Sequence, residues 1–308
     1  MKLFIEYSYN LKPHHLEMIL SSRDDITLVD KIESAEVVLG GVSRDEFKRA
    51  KNLKWIQTTG AGVDSLLYPE IIESDVIITN ASGVHPIPIA EHTFALILAI
   101  TRGLIKSFEG KIRKTWFHNE AYTDEIHGKT IGIIGYGRIG QGIATVAKGF
   151  GMKIIALKRN TGKEVEVIPD ELLGRDSIDK LLTESDIVVI IVPLTKDTYH
   201  MIGERELKLM KPTGILINVA RGKVVDERAL IRALKEKWIL GAGLDVFETE
   251  PLPPDSELWE LDNVVITPHI AGLNPHYTDR LLDIFIRNLK AYPDVSRMIN
   301  VVDKKLGY

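Results

Sequence analysis

A chain of 308 residues is too long for one ordinary core and suits two domains, and 44% hydrophobic with 27% charged residues argues against disorder. With 39 Lys and Arg against 43 Asp and Glu the formal charge is −4, and no long basic run occurs, so nothing is built to gather nucleic-acid phosphates. Cysteine is absent, which excludes disulfides, thiolate nucleophiles and Cys-based metal centres, and no metal site is predicted.

Glu6 interrupts the stretch where a secretory signal needs an apolar core, and the run Phe94 to Ile100 falls far short of the roughly 20 residues of a membrane span, so a cytoplasmic protein without membrane contact is expected. Only two glutamines occur, Gln57 and Gln141, and with abundant Lys, Glu and Ile this leans toward a heat-adapted source.

In chain order, "KLFIEY", "ITLV", "AEVVLGG", "KWIQTT" and "DVIITN" read as strands, with helices over Leu11–Ser21 and Arg44–Lys51. The apolar spacing then predicts one long helix over Ile89–Lys106. A second series follows: "TIGIIGYG", "KIIALK", "DIVVIIV", "GILINVA", "ILGAGLDV" and "NVVITPH". Helices are predicted near Ile139–Phe150, Ile178–Thr183, Glu204–Met210 and Glu227–Glu236, and a last one over His276–Ala291. Runs apolar on both faces point to buried parallel strands of an α/β protein, with the two long helices as links between domains. The proline cluster Pro251–Asp255 reads as a surface turn.

"TIGIIGYGRIGQGIA" sets Gly135, Gly137 and Gly140 in a G-x-G-x-x-G frame between a strand and a helix, where small residues let backbone N–H groups approach a pyrophosphate. A second strand follows at βαβ distance, so a dinucleotide site is favoured over a plain turn. About 20 residues on, an NAD site offers an acid to the ribose hydroxyls. Here the sequence has Lys158, Arg159 and Asn160 instead. A carboxylate would repel the 2′-phosphate of NADP, whereas Arg159 can bind it with its fork of donors while Lys158 and Asn160 add charge and hydrogen bonds. NADP is therefore the expected cofactor and NAD the possible one.

Arg221 in "NVARG", Asp245 and Glu250 in "GLDVFETEP", and His269 in "TPHIAG" each follow a predicted strand, and the carboxyl ends of parallel strands border the ligand crevice. With "TTGAGVDSL" at Thr58–Leu66, "NASGVHPIPIAEH" at Asn80–His92, "VPLTKDT" at Val192–Thr198, "NVARGKVVDERAL" at Asn218–Leu230 and "NVVITPHIAG", the chain resembles the D-isomer-specific 2-hydroxyacid dehydrogenases over nearly its whole length. The pattern is nearest to glyoxylate/hydroxypyruvate reductases and D-glycerate dehydrogenases.

The resemblance implies a Rossmann domain over residues 101–276 and a discontinuous flavodoxin-like α/β substrate domain over 1–100 and 277–308. It implies His269 as acid/base, Glu250 as its carboxylate partner, Arg221 as substrate clamp and Asp245 as a ligand at the nicotinamide end. Arg138, Ile139, Val192, Pro193, Thr198, Ala220 and Gly272 join the cofactor set on the same ground. Reduction of a 2-oxo acid needs a proton for the oxygen as hydride reaches the carbon, which a histidine beside a carboxylate supplies. An arginine orients the acid and stabilises the developing charge. Taken singly, each of these residues has a bland explanation; together, on successive strand ends, they read as a site.

Gly60, Ala61 and Gly62 offer consecutive N–H groups as a nest for the substrate carboxylate. Val84 and His85 stand where the family varies, and Trp116 resembles a family tryptophan that packs a core or an interface. Formate dehydrogenases pair their histidine with glutamine, so Glu250 argues against formate; with only a short tail after the last predicted helix, regulation by an added domain of the phosphoglycerate dehydrogenase kind is not expected, and a short-form enzyme of that kind stays open. A homodimer acting on a small 2-oxo or 2-hydroxy acid is expected. The alternative is a dinucleotide-sensing binding protein, since the family includes a corepressor.

Overall fold

The computed structural model describes residues 1–7, 11–162 and 164–307. Contacts divide the chain into two units, Met1–His85 with Asn274–Tyr308, and Pro86–Leu273.

In the first unit five short strands, β1 (Lys2–Ile5), β2 (Thr27–Leu28), β3 (Val37–Leu39), β4 (Trp55–Gln57) and β5 (Ile77–Thr79), form a parallel sheet in the order β2-β1-β3-β4-β5. That order, 2-1-3-4-5, is the flavodoxin-like one. Both faces are covered, as parallel strands require. Leu3, Val37, Leu39 and Trp55 pack against Leu281, Leu282, Phe285 and Leu289 of the last helix, α10 (Tyr277–Ala291), while Val38, Ile56 and Ile78 pack with Val63, Leu66 and Ile71 on the other side.

The return of the chain end to this unit is fixed by a buried polar chain. Trp55 Nε1 donates to Thr79 Oγ1 at 2.8 Å, Thr79 to Gln57 Oε1 at 2.7 Å, and Asn288 Nδ2 to the same oxygen at 3.1 Å. Each buried polar group thereby finds a partner, and residues distant in sequence become one core.

In the second unit seven parallel strands run in the order β12-β11-β10-β9-β6-β7-β8, namely Val264–Ile266, Gly241–Leu244, Ile215–Asn218, Ile187–Ile190, Thr130–Ile134, Lys153–Leu157 and Glu171–Leu173. Order reverses between β6 and β9, which gives the Rossmann switch point. One face, with Ile131, Ile133, Val189 and Ile217, packs on α4 (Pro86–Thr101) and α6 (Arg138–Gly149). The other face, with Ile134, Val188, Ile190 and Leu216, packs on α7 (Ile178–Glu184), α8 (Glu204–Leu209) and α9 (Glu227–Lys235).

Two expectations change. The single helix over Ile89–Lys106 is two helices, α4 and α5 (Leu104–Arg113), because Gly103 takes φ +67° and ends the ladder between them. The unit boundary lies at His85/Pro86 and Leu273/Asn274, not at 100/101 and 276/277, because α4 buries Phe94, Leu96, Ile97 and Ile100 in the core of the seven-stranded sheet. The edge strand β8 and the one-turn helix α3 (Pro69–Ile72) were not predicted; with three and four residues they are too short to show a period. Among the described residues no single helix is long and apolar enough to cross a membrane, and the α4–α5 pair, apolar enough together, is bent by 68°.

Candidate active site

At the carboxyl end of β6 the chain turns through Gly135, whose φ of +108° excludes a side chain; a Cβ there would lie 2.5 Å from the carbonyl oxygen of Ile191. A Cβ on Gly140, one turn into α6, would lie 2.3 Å from the Gly135 carbonyl oxygen, so helix and turn touch backbone to backbone. Gly137 differs: it is the residue before α6, and its Cβ would meet nothing within 4 Å. The turn is thus closed on the protein side and open on the side where N–H groups at a helix start attract a pyrophosphate, which fits a dinucleotide. Arg138 opens α6 and is exposed, whereas Ile139 is half-buried against the core.

Lys158, Arg159 and Asn160 follow β7 on the same edge of the sheet, the first half-buried and the other two exposed. Lys158 Nζ donates to the Glu164 carbonyl at 3.3 Å and Asn160 Oδ1 accepts from Gly162 N–H at 3.1 Å, so these side chains also shape the loop that carries them. Val192 and Pro193 follow β9. Thr198 donates to the Pro193 carbonyl at 2.6 Å and accepts from Thr195 N–H at 2.8 Å, which closes that loop on itself.

The chemistry-bearing residues come from the next three strand ends. After β10, Asn218 Oδ1 accepts from Ala220 N–H at 3.1 Å and its Nδ2 donates to the Arg221 carbonyl at 3.1 Å, so a buried amide moulds the loop from within. Arg221 Nη1 donates to the Ala220 carbonyl at 2.7 Å. After β11, Glu250 Oε1 accepts from Phe247 N–H at 3.0 Å, leaving Oε2 for His269 Nδ1 at 2.6 Å. A carboxylate can only accept, so Nδ1 carries the hydrogen and Nε2 is left for proton exchange.

His269 follows β12 with φ +54°, a left-handed conformation uncommon outside glycine and enriched in histidine, held by its N–H donating to the Asp245 carbonyl at 2.9 Å. Its side chain is 49% exposed, which an acid that must meet a ligand requires. Asp245 itself is 1% exposed. Its Oδ1 accepts from Thr267 Oγ1 at 2.6 Å and from Ile270 N–H at 2.9 Å, and its Oδ2 from Ala271 N–H at 2.9 Å. The carboxylate is engaged in building the loop that presents His269, and the half-buried Gly272 ends that loop. His92 of α4 completes the support, its Nε2 lying 2.9 Å from Thr267 Oγ1.

The resemblance implies Asp245 as a ligand at the nicotinamide end; in the structure its Oδ1 accepts from the Thr267 hydroxyl and the Ile270 N–H and its Oδ2 from the Ala271 N–H, so it also builds the loop of His269. Sequence reasoning missed His92 and Thr267, although Thr267 stands in the quoted "TPHIAG".

In the first unit the carbonyls of Gly60 and Ala61 are tied down, Gly60 by Thr58 Oγ1 at 2.9 Å and Ala81 N–H at 3.0 Å, Ala61 by Asn80 Nδ2 at 2.9 Å. Among the described residues the N–H groups of Gly60, Ala61 and Gly62 donate to none, as an anion nest requires. Among those residues the one close group of metal-ligating atoms is His14, His15 and Asp279. His15 Nδ1 accepts from Lys12 N–H at 3.1 Å, which commits Nε2 to donating to Asp279 at 3.0 Å and leaves that ring no lone pair for a metal.

Residues 94–271 match the family "D-isomer specific 2-hydroxyacid dehydrogenase, NAD binding domain". The chain is 43% identical over 278 residues to the glyoxylate reductase of Thermococcus onnurineus, covering 86% of this chain and 82% of that one. Among solved structures, a D-isomer specific 2-hydroxyacid dehydrogenase from Xanthobacter autotrophicus, in complex with NADPH and MES, superposes with a TM-score of 0.85 at 26% identity, covering 100% and 99% of the two chains. The D-lactate dehydrogenase of Aquifex aeolicus, complexed with NAD and lactic acid, superposes with a TM-score of 0.80 at 30% identity over 98% and 99%. With the phosphate turn and the His269–Glu250 pair in place on one sheet edge, the chain belongs to the D-isomer-specific 2-hydroxyacid dehydrogenases and is an oxidoreductase of CH–OH groups that uses a nicotinamide dinucleotide.

Proposed function

We propose that this chain is an NADPH-preferring reductase of a small 2-oxo acid, glyoxylate or hydroxypyruvate, yielding the D-2-hydroxy acid where a stereocentre forms. The observation that carries the reading is the 2.6 Å bond between His269 Nδ1 and Glu250, on the sheet edge that also presents Arg221 and the phosphate turn. The name of the Thermococcus relative supports glyoxylate, and the missing acid after β7, replaced by Lys158 and Arg159, supports NADPH.

The bound cofactor supplies the hydride. Arg221 holds the substrate carboxylate and carbonyl oxygen with its planar fork, and polarises the carbonyl. His269 gives the proton from Nε2 while Glu250, on Nδ1, keeps the ring oriented. In the first unit the N–H groups of Gly60, Ala61 and Gly62 suit a carboxylate, which supports reading that unit as the substrate domain and the second, with the phosphate turn, as the cofactor domain. A cytoplasmic homodimer belongs to the same reading, supported by an apolar exposed row, Phe108 and Ile112 of α5 and Trp116, the last 90% exposed.

The deciding experiment is steady-state turnover of a panel of 2-oxo acids with NADPH and with NADH. We expect the highest kcat/KM for glyoxylate or hydroxypyruvate with NADPH. Absence of turnover with every acid, while NADPH still binds, would turn the reading toward a dinucleotide-sensing protein.

A further inference from the structure

Three residues on the segments flanking Arg221 and Glu250 belong neither to the phosphate turn nor to the proton donor. Glu227, the first residue of α9, donates its backbone N–H to Glu248 Oε1 at 3.0 Å. Glu248 returns the bond, its own N–H donating to Glu227 Oε2 at 3.0 Å. Gly222 seals the same contact, since a Cβ there would lie 1.8 Å from the carbonyl carbon of Phe247 and 2.4 Å from the nitrogen of Glu248. The loop that carries Arg221 and the loop that carries Glu250 are therefore in backbone contact one residue from the first and at the residue that the two carboxylates hold.

His200 comes in from the loop after β9. Its N–H donates to the Lys223 carbonyl at 2.9 Å, and its buried Nε2 stands 2.8 Å from Glu248 Oε1, within ion-pair reach but outside hydrogen-bond angles. Burial, and then the charge of Glu248, push the Glu227 carboxyl above its ordinary range, against the N–H bond from Glu248 that favours the ionised form. Two partly buried carboxylates side by side are costly unless each oxygen is met by a donor. Here one oxygen of each carboxylate accepts from the other residue's backbone N–H, so the arrangement persists only while the start of α9 and the loop after β11 keep their spacing.

That spacing matters because a substrate held by Arg221 must meet the proton of His269, which Glu250 orients, and a misplacement of about 1 Å can cost a factor of about 100 in rate. We propose that Glu227 and Glu248, with His200 against them, are positioning residues that set the distance between Arg221 and the Glu250–His269 pair without touching substrate. The proposal rests on the reductase reading above.

The test compares the full-length wild type with Glu248→Ala, Glu248→Gln and Glu227→Ala, using NADPH with glyoxylate. Glu248→Ala is expected to lower kcat about tenfold to a hundredfold with KM for NADPH changed less than about twofold. Glu248→Gln keeps an Oε1 acceptor for the Glu227 N–H and is expected to recover most of that loss. Hydrogen exchange in Glu248→Ala should accelerate about tenfold at the Glu227 amide and along residues 221–224, with the amides of Ile131–Ile134 unchanged.

A kcat equal to wild type in Glu248→Ala overturns the proposal and leaves the reductase reading intact. So does a loss that glutamine does not relieve, or one shared equally by NADPH affinity and the unfolding midpoint. A wild type that turns over no 2-oxo acid overturns the reductase reading and the positioning role together.

Discussion

The two edges of the seven-stranded sheet each carry a carboxylate that accepts backbone N–H bonds, and the contrast between them separates stability from function. At the amino edge Asp186, just before β9, accepts from Thr130 N–H at 2.8 Å and pairs with Lys211 Nζ at 2.7 Å, drawing together the starts of β6, β9 and β10. At the carboxyl edge Asp245, just after β11, gathers three donors from residues 267–271. The local chemistry is the same. What differs is what the held segment presents: a closed strand start below, and above it a half-exposed histidine in a left-handed conformation. Position on a parallel sheet, where ligands gather at the carboxyl ends, decides the role.

Changes at the carboxyl edge should therefore act first on activity. The largest effect belongs to His269→Gln, which removes the proton donor: kcat should fall on the order of a thousandfold while NADPH affinity, read by titration of its fluorescence, stays put. A variant that kept a tenth of the wild-type kcat would move the acid elsewhere and dissolve the contrast. The next effect belongs to Gly140→Val. Its Cβ falls 2.3 Å from the Gly135 carbonyl, so the phosphate turn must open, and NADPH binding should weaken on the order of a hundredfold.

Below these comes the pair after β7. Lys158→Asp with Arg159→Ser should shift the ratio of kcat/KM for NADPH over NADH by tens of fold toward NADH, about the worth of one or two charge-assisted bonds. An unchanged ratio would mean that Lys158 and Arg159 only shape their loop, as the bond from Lys158 to the Glu164 carbonyl already shows one of them doing.

How far the sequence discloses each region follows from what builds it. The phosphate turn is made by backbone geometry, and Gly135 and Gly140 are required by φ and by close approach, so spacing alone reveals it. The strands of the Rossmann sheet are legible for a related reason: buried on both faces, they read as continuous apolar runs. The carboxyl-edge mesh is different. The contact between His269 and Glu250, 2.6 Å apart in space and on different strand ends, has no local period, and only the resemblance brings the pair together. The bonds of Glu227 and Glu248 leave no trace in sequence at all, because a glutamate at a helix start or in a loop ordinarily stands in solvent, whereas these two are half-buried. The break between α4 and α5 was visible as Gly103, but the apolar pattern on either side masks it.

The smallest effect is the one at the amino edge. Burial works to raise the Asp186 carboxyl, but the bond from Lys211, the Thr130 N–H and the charges of Lys211 and Lys129 outweigh it, and the net shift is downward from 3.8. A carboxyl held lower in the folded than in the unfolded chain binds fewer protons folded, so its stabilisation is complete above the unfolded value and is lost as pH falls through the folded one. Asp186→Asn should therefore lower the unfolding temperature by a few degrees at neutral pH, with kcat unchanged at 25 °C, and the gap to wild type should close as pH drops below about 4. A gap that persisted in acid would assign the loss to the amide's geometry and not to charge. A matching fall in kcat would show that the two edges of the sheet are coupled.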